Sequence, residues 1–334
     1  MTAAGPTEAS SNAQSTETTI VFGGSGFIGT HLLRRLVASG ATRVISADIR
    51  DPKDAVPGVE YRRTDVRDLD GFTTSTPIST IYNLAAVHTT PGHPDHEYYE
   101  TNVLGASEVT ALARRMAVKE IVFTSSISVY GPGEEAKLET SPLAPVSPYG
   151  RSKLLAERIH RAWLEESLEH RLLVVRPAVI FGPGEGGNFT RMAKLMKAGV
   201  FVYPGRRNTI KACFYVEDLL DAIMFARSTP DRFVLFNACY PDRYTLEEIV
   251  EAFRTRHFAK VKTFEIPLGL VMTAARLLRP VSAMGLGIHP ERVIKLVRST
   301  DIVPGWLEDH HASIRGRIGF ALDRWAEHSK GSFT

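Results

Sequence analysis

Seven short runs rich in Val, Ile, Leu and Phe recur along this chain, in TTIVFGG, RVISADI, VEYRRTD, TIYNLAA, EIVFTSS, RLLVVRPA and RFVLFNA. Several are apolar almost without interruption, a pattern that suits strands covered on both faces. Helical patterns stand between many of them, such as GTHLLRRLVAS after the first and NVLGASEVTALARRMAV before the fifth. This alternation predicts an α/β fold, a doubly wound parallel sheet with helices on both faces. Beyond residue 180 the alternation fades and loops rich in Gly and Pro appear, FGPGEGGN and VYPGRRN. The expected organisation is a tail over 1–17, a nucleotide-binding domain over 18–180 to which 209–240 returns, and a smaller C-terminal substrate-binding lobe from 181–208 and 241–330.

Composition narrows the function classes. A chain of 334 residues that is 43% hydrophobic can bury a large core. A net charge of +3 with scattered arginines argues against a nucleic-acid surface. Two cysteines, Cys213 and Cys239, without Cys-x-x-Cys spacing argue against a disulfide framework or structural zinc and fit buried thiols in a reducing cytosol. Residues 1–17 have neither the basic start nor the apolar run of a targeting peptide, so a disordered tail and a cytoplasmic location are expected. The apolar stretch 266–288 is interrupted by Arg276, Arg279 and Pro280, a poor membrane span. An amphipathic helix lining a substrate pocket is the favoured reading, ahead of a helix resting on a membrane surface.

The first strand runs into VFGGSGFIG, which spaces Gly23, Gly26 and Gly29 across a strand-to-helix turn. Missing side chains there let the backbone approach a pyrophosphate and let helix-terminal N–H groups point at it, as in a Rossmann-type domain. Asp48 ends the second strand, where a carboxylate can hold both ribose hydroxyls and repel a 2′-phosphate. NAD is therefore favoured over NADP, with Arg50 close by as the contrary sign. Asp65 and Val66, at the end of the third strand, are candidates for reading an adenine edge, against the plain alternative of a turn aspartate.

In SPYGRSK, Ser147 is a plausible N-cap with Pro148 at the first helical position. Leu154, Leu155, Ile159, Trp163 and Leu164 are expected to form the apolar face of this helix. Tyr149 and Lys153, at i and i+4, share one side of it. A free phenol with a pKa of about 10 is protonated near neutral pH. A nearby ammonium and an oxidised nicotinamide would each favour the phenolate, which can remove a hydroxyl proton as hydride leaves the same carbon. Ser126, at the carboxyl end of the fifth strand, can hydrogen-bond the reacting oxygen.

Together these residues make the chain resemble the extended short-chain dehydrogenase/reductase family, in particular its nucleotide-sugar epimerase and dehydratase branch. GGSGFIG, NLAA, SSISVYG, SPYGRSK, RPAVIFGPG and FYVEDL occur in the family's order over about residues 18–225. The resemblance implies that Ser126, Tyr149 and Lys153 are the catalytic set. It implies NAD contacts from Gly23, Gly26, Phe27, Ile28, Gly29, Asp48, Asp65, Val66, Leu84, Ala85, Ala86, Tyr149, Lys153 and Pro177, with Lys153 holding the nicotinamide ribose. Asn188 and Lys211 stand where relatives touch the substrate diphosphate, Lys211 in place of a common arginine. The resemblance also implies a homodimer formed through a four-helix bundle.

Dehydratases of this branch resemble one another in a Thr-Asp-Glu run at the catalytic strand end. Here the run is Ser126, Ile127 and Ser128, so elimination lacks its acid and base. Epimerisation of a nucleotide sugar, with a UDP-hexose and inversion at C4 favoured, then leads over net oxidation of an apolar alcohol in the manner of a hydroxysteroid dehydrogenase. A non-catalytic NAD-sensing protein is the third reading, disfavoured by the intact tyrosine and lysine. His88, His93 and His96 match no common zinc spacing and no metal is expected; one of them is a candidate substrate contact.

Overall fold

The computed structural model describes residues 17–89, 92–277 and 297–334. Most of the predicted tail, residues 1–16, and the stretch 278–288 of the apolar segment lie outside the described residues. All seven apolar runs form strands of one parallel sheet. These are β1 (Thr18–Phe22), β2 (Arg43–Asp48), β3 (Val59–Arg63), β4 (Ile78–Asn83), β5 (Glu120–Thr124), β6 (Arg171–Pro177) and, late in the chain, β10 (Phe233–Ala238). Their order is β10-β6-β5-β4-β1-β2-β3. The order reverses between β1 and β4, so a crevice for a dinucleotide opens above their carboxyl ends.

Helices cover both faces because the central strands are buried on both. α1 (Phe27–Ala38), α2 (Asp95–Tyr99), α3 (Gly105–Arg115) and α4 (Pro148–Glu165) belong to the first half. One apolar cluster joins Ile20, Phe22, Ile81, Ile121 and Phe123 of the sheet to Val109 and Leu112 of α3 and Trp163 of α4. On the opposite face Val21, Tyr82, Val122 and Val175 pack with Leu32, Leu33 and Leu36 of α1 and with Leu219 and Ile223 of α6 (Val216–Ser228).

The second half adds two small parallel ribbons. β7 (Val179–Phe181) pairs with β9 (Cys213–Tyr215), and β8 (Val200–Pro204) pairs with β11 (Lys262–Ile266). α5 (Asn188–Lys197) leads into β8, and α7 (Leu246–Arg256) precedes β11. α7 starts at a reciprocal cap in which Thr245 Oγ1 accepts from Glu248 N at 3.2 Å and Thr245 N donates to Glu248 Oε2 at 2.7 Å. α8 (Leu268–Leu277), α9 (Gly305–Asp309) and α10 (Ile318–His328) complete the described elements. Phe201 and Tyr203 of β8 point into the core, whereas Val200 and Val202, with Phe264 and Ile266 of β11, are exposed. Cys213 and Cys239 are buried free thiols, and burial pushes both upward in pKa.

The turn between β1 and α1 explains its glycines. Gly23 has φ of +77°, and a Cβ on it would lie 2.8 Å from Ala85 N. A Cβ on Gly29 would lie 2.4 Å from Gly23 O. The turn thus closes on itself and on the segment after β4. Replacing Gly29 by Ala should lower the unfolding free energy by about 1–3 kcal/mol through overpacking and weaken NAD binding. Denaturant titration and calorimetric titration with NAD check both effects.

Candidate active site

Tyr149 and Lys153 are placed by the start of α4. Ser147 Oγ accepts from Gly150 N at 3.0 Å, with Pro148 in the first turn, so the cap has the form read from the sequence. Of the apolar set expected, Trp163 and Leu164 are buried and Leu154 and Ile159 pack against the core, but polar side chains share the buried stripe of α4. It includes Ser152, Lys153, Glu157 and His160 besides Ala156, Trp163 and Leu164, while Leu155 is exposed. Polar side chains take that stripe because each finds a partner, Ser152 in Asn102 and the other three on or beside the sheet strands.

Lys153 is 1% exposed. Its ammonium donates to the Thr124 carbonyl at 2.7 Å and lies 4.8 Å from the centre of the Phe123 ring. Burial pulls its pKa down to about 7, with the Glu157 carboxylate one turn on opposing the fall. Glu157 accepts from Arg176 Nε at 2.9 Å and Nη2 at 2.8 Å, and from the Ser125 hydroxyl. Arg176 also donates to Tyr130 Oη at 2.9 Å, which in turn donates to Asn237 Oδ1 at 2.7 Å. A hydrogen-bonded chain therefore runs from β5 through α4 and β6 to β10.

Tyr149 is half-buried, and the Ser126 side chain neighbours its phenol. Burial raises its pKa above the ordinary value, and the Ser126 contact opposes the rise. The Lys153 ammonium beside it donates to Thr124 O, so the second positive charge expected from an oxidised nicotinamide is still needed to favour the phenolate. Ser126 Oγ also accepts from Ser128 N at 3.1 Å, which fixes the hydroxyl at the end of β5. The structure thus brings Ser126, Tyr149 and Lys153 together at one sheet end.

The cofactor candidates border the same crevice. Asp48 is buried, accepting from Ser25 N at 3.1 Å and Arg50 N at 3.0 Å. Leu84 N donates to Phe22 O at 2.9 Å, which holds the Leu84–Ala85–Ala86 segment beside the glycine turn. Phe27 and Ile28 open α1, and Pro177 is buried at the end of β6. Asp65 is gripped by Arg67, with Nη2 at 2.6 Å from Oδ2, and its carboxyl is held below the usual range. Val66 sends its side chain into the core, where a Cβ on Gly105 would meet it at 2.8 Å. Only the backbone there is left to read a base.

The substrate candidates stand on other elements. Asn188 opens α5 and is exposed. Lys211 donates to Arg298 O at 2.6 Å, and burial, followed by the Arg206 guanidinium, lowers it to about 8. A pocket of about 280 Å³ nearby is lined by Pro132, Gly133, Glu134 and Arg298. Of the three histidines, His88 feels the Lys153 charge, which adds to burial in lowering its pKa. His93 pairs with Glu97 at 2.7 Å and His96 is exposed. Among the described residues no group of His, Cys, Asp and Glu side chains is arranged to hold a metal.

Sequence reasoning missed Asn102 and the Glu157–Arg176 pair. Asn102 is buried; its Oδ1 accepts from Val87 N at 3.0 Å and its Nδ2 donates to Ser152 Oγ at 2.8 Å. It clamps the segment after β4 onto α4. The signal was an asparagine that opens the helical run NVLGASEVTALARRMAV.

A family model described as the NAD dependent epimerase/dehydratase family matches residues 19–239. This chain belongs to that family. It is an NAD-dependent enzyme of the extended short-chain dehydrogenase/reductase type. An N-acetyl-alpha-D-glucosaminyl-diphospho-ditrans,octacis-undecaprenol 4-epimerase of Escherichia coli O157:H7 is 29% identical over 262 residues, 76% of each chain. A UDP-glucose 4-epimerase of Yersinia pestis is 34% identical over 157 residues, 42% of this chain and 46% of that one. The chain thus spans about half the length of that relative. MoeE5 in complex with UDP-glucose and NAD shares the fold, with a TM-score of 0.70 at 22% identity over 95% of this chain and 100% of that one. The glycine cradle, the carboxylate at the end of β2 and the lysine below the crevice fit NAD.

Two outcomes follow from the buried charges. The unfolded chain holds more protons on Lys153 than the folded one between pH about 7 and 10.5, so this residue disfavours folding below that window and is relieved across it. Lys153→Met should therefore abolish turnover yet raise the melting temperature of the cofactor-free protein at pH 7, with the gain shrinking toward pH 10. Glu157→Gln leaves the Arg176 charge buried with its pairing broken and should cost about 3–5 kcal/mol. Thermal and denaturant unfolding at several pH values measure both.

Proposed function

We propose that this enzyme inverts C4 of a hexose held through a diphosphate, with a UDP-hexose as its substrate. The observation that carries the reading is the meeting of Ser126, Tyr149 and, one helical turn on, buried Lys153 at the end of β5, with Ile127 and Ser128 where an eliminating enzyme needs carboxylates.

In this reading Tyr149 Oη takes the proton of the C4 hydroxyl while Ser126 Oγ donates a hydrogen bond to the same oxygen. Bound NAD supplies the hydride acceptor, and its reduced form the donor. The 4-keto sugar turns over in the site, and Tyr149 returns the proton once the other face of C4 has been reduced. Lys153 is anchored at Thr124 and adds positive charge beneath the reacting pair. Lys211 is the cation this reading offers to the diphosphate, since Arg206 beside it is paired with Glu134 at 2.6 Å. The expected homodimer would form through α3 and α4, which pack together and leave Leu155, and Leu104 just before α3, exposed.

A second reading places the sugar on a lipid diphosphate instead of a nucleotide. It is favoured by the exposed apolar face of β8 and β11 and by the similarity to the undecaprenol-linked relative. Net oxidation of an apolar alcohol draws no support from these relatives.

Purified protein incubated with NAD and UDP-glucose, UDP-galactose or their N-acetyl forms should produce the C4 epimer without net NADH, followed by proton NMR of the sugar. Accumulating NADH with a stable ketone would overturn epimerisation. Tyr149→Phe should lower kcat by about 10²–10⁴-fold while NAD affinity changes little.

A further inference from the structure

The ribbon formed by β8 and β11 has two unlike faces. Register pairs Val200 with Lys262, Val202 with Phe264 and Pro204 with Ile266, so these six residues share one face. Phe201 and Tyr203 fill the core from the other. On the outer face Phe264 is 52% exposed, and Val200, Val202 and Ile266 are exposed beside it. The chain then enters α8 through Leu268 and Leu270, the latter 64% exposed, and a Cβ on Gly205 would lie 3.1 Å from Leu268 Cβ, so the helix starts against the ribbon. The α8 sequence, LGLVMTAARL, contains only Thr273 and Arg276 as polar residues. A helix this apolar is ordinarily buried. Here its first turn lies at the surface, continuous with the outer face of the ribbon.

The rim of this face is basic. Lys194 and Lys197 occupy the last turn of α5, and Lys260 and Lys262 lead into β11. Gly199 O accepts from Lys262 N at 3.0 Å, which brings the two pairs to one end of the ribbon. All four are exposed, and none has an acidic partner among the described residues. Acids on the neighbouring elements are paired elsewhere, Glu265 and Glu247 with Arg207 and Glu251 with Arg254. Uncompensated lysines beside exposed Val, Ile, Leu and Phe match the chemistry of an anionic bilayer surface, where phosphates meet the ammonium groups and the apolar side chains enter the head-group boundary. A second copy of the chain would bring the same lysines against each other. None of the described helices is long and apolar enough to cross a membrane.

We propose that the outer face of β8 and β11, with the start of α8 and the rim lysines, docks this enzyme on the surface of an anionic phospholipid membrane. Such docking presents the substrate lobe at head-group level, where a diphosphate-linked sugar on a lipid would be met.

The test is sedimentation of the full chain with vesicles of phosphatidylcholine mixed with phosphatidylglycerol, and with phosphatidylcholine alone. The protein should sediment with the mixed vesicles at low salt, much less with the neutral ones, and progressively less as salt rises. Replacing Val202, Phe264 and Ile266 together by Ser should abolish binding while circular dichroism and the melting temperature stay close to those of the parent. Removing the charge of Lys197 or Lys262 by substitution with Gln should weaken binding about five-fold each. Protein left in the supernatant with mixed vesicles at low salt would overturn the proposal. So would undiminished binding by the triple Ser variant, or a triple variant that changes only the oligomeric mass seen by light scattering, which would make the face a contact between copies. Sedimentation needs no turnover, so its failure and the failure of the epimerase reading are seen separately.

Discussion

The burial of one ammonium group organises this enzyme. Lys153 is taken out of water at the carboxyl end of the sheet, and desolvation alone would drive off its proton. Three features oppose that loss: the Thr124 carbonyl, the face of Phe123 and the carboxylate of Glu157. Glu157 in turn needs the Arg176 fork, and Arg176 needs Tyr130 and Asn237. The charge at the site thus depends on strands β5, β6 and β10 lying side by side. This gives a physical reason for a strand contributed by residues 233–238 to sit in the sheet beside β6.

The neighbouring phenol has the opposite problem. Burial holds Tyr149 in its neutral form, and Ser126 offsets this only in part. In the proposed mechanism, a Tyr149 base that stays protonated until the second positive charge arrives avoids removing protons when no hydride acceptor is present. On that proposal the site is prepared by the fold and completed by the cofactor, which couples proton to hydride transfer.

The parallel sheet was legible in the sequence because its strands are buried on both faces and so carry unbroken apolar runs, as in IVF of β1 and LLVV of β6. The glycine turn was legible because Gly23 and Gly29 meet backbone at distances that no side chain tolerates. The buried stripe of α4 was not legible: Lys153, Glu157 and His160 look like solvent residues until β5 and β6 supply their partners. Hydrophobic periodicity found Trp163 and Leu164 of that helix, but not the polar side chains buried beside them. Asp65 looked free to read a base because its pairing with Arg67, two residues away, is a local geometry that spacing does not reveal. The ribbon of β8 and β11 escaped notice because its strands are short, and their alternation shows only once the register places Val202 beside Phe264.

Titration of Tyr149 tests the central claim most directly. With the tyrosines carrying carbon-13 at Cζ, and the Tyr149 resonance assigned by its loss in Tyr149→Phe, the pH dependence can be followed in free and NAD-loaded protein. The account predicts a pKa above the ordinary tyrosine value of about 10 without cofactor, and a large fall once NAD is bound. A Tyr149 already ionised near neutral pH in the free protein, or one whose titration NAD leaves unmoved, would contradict it.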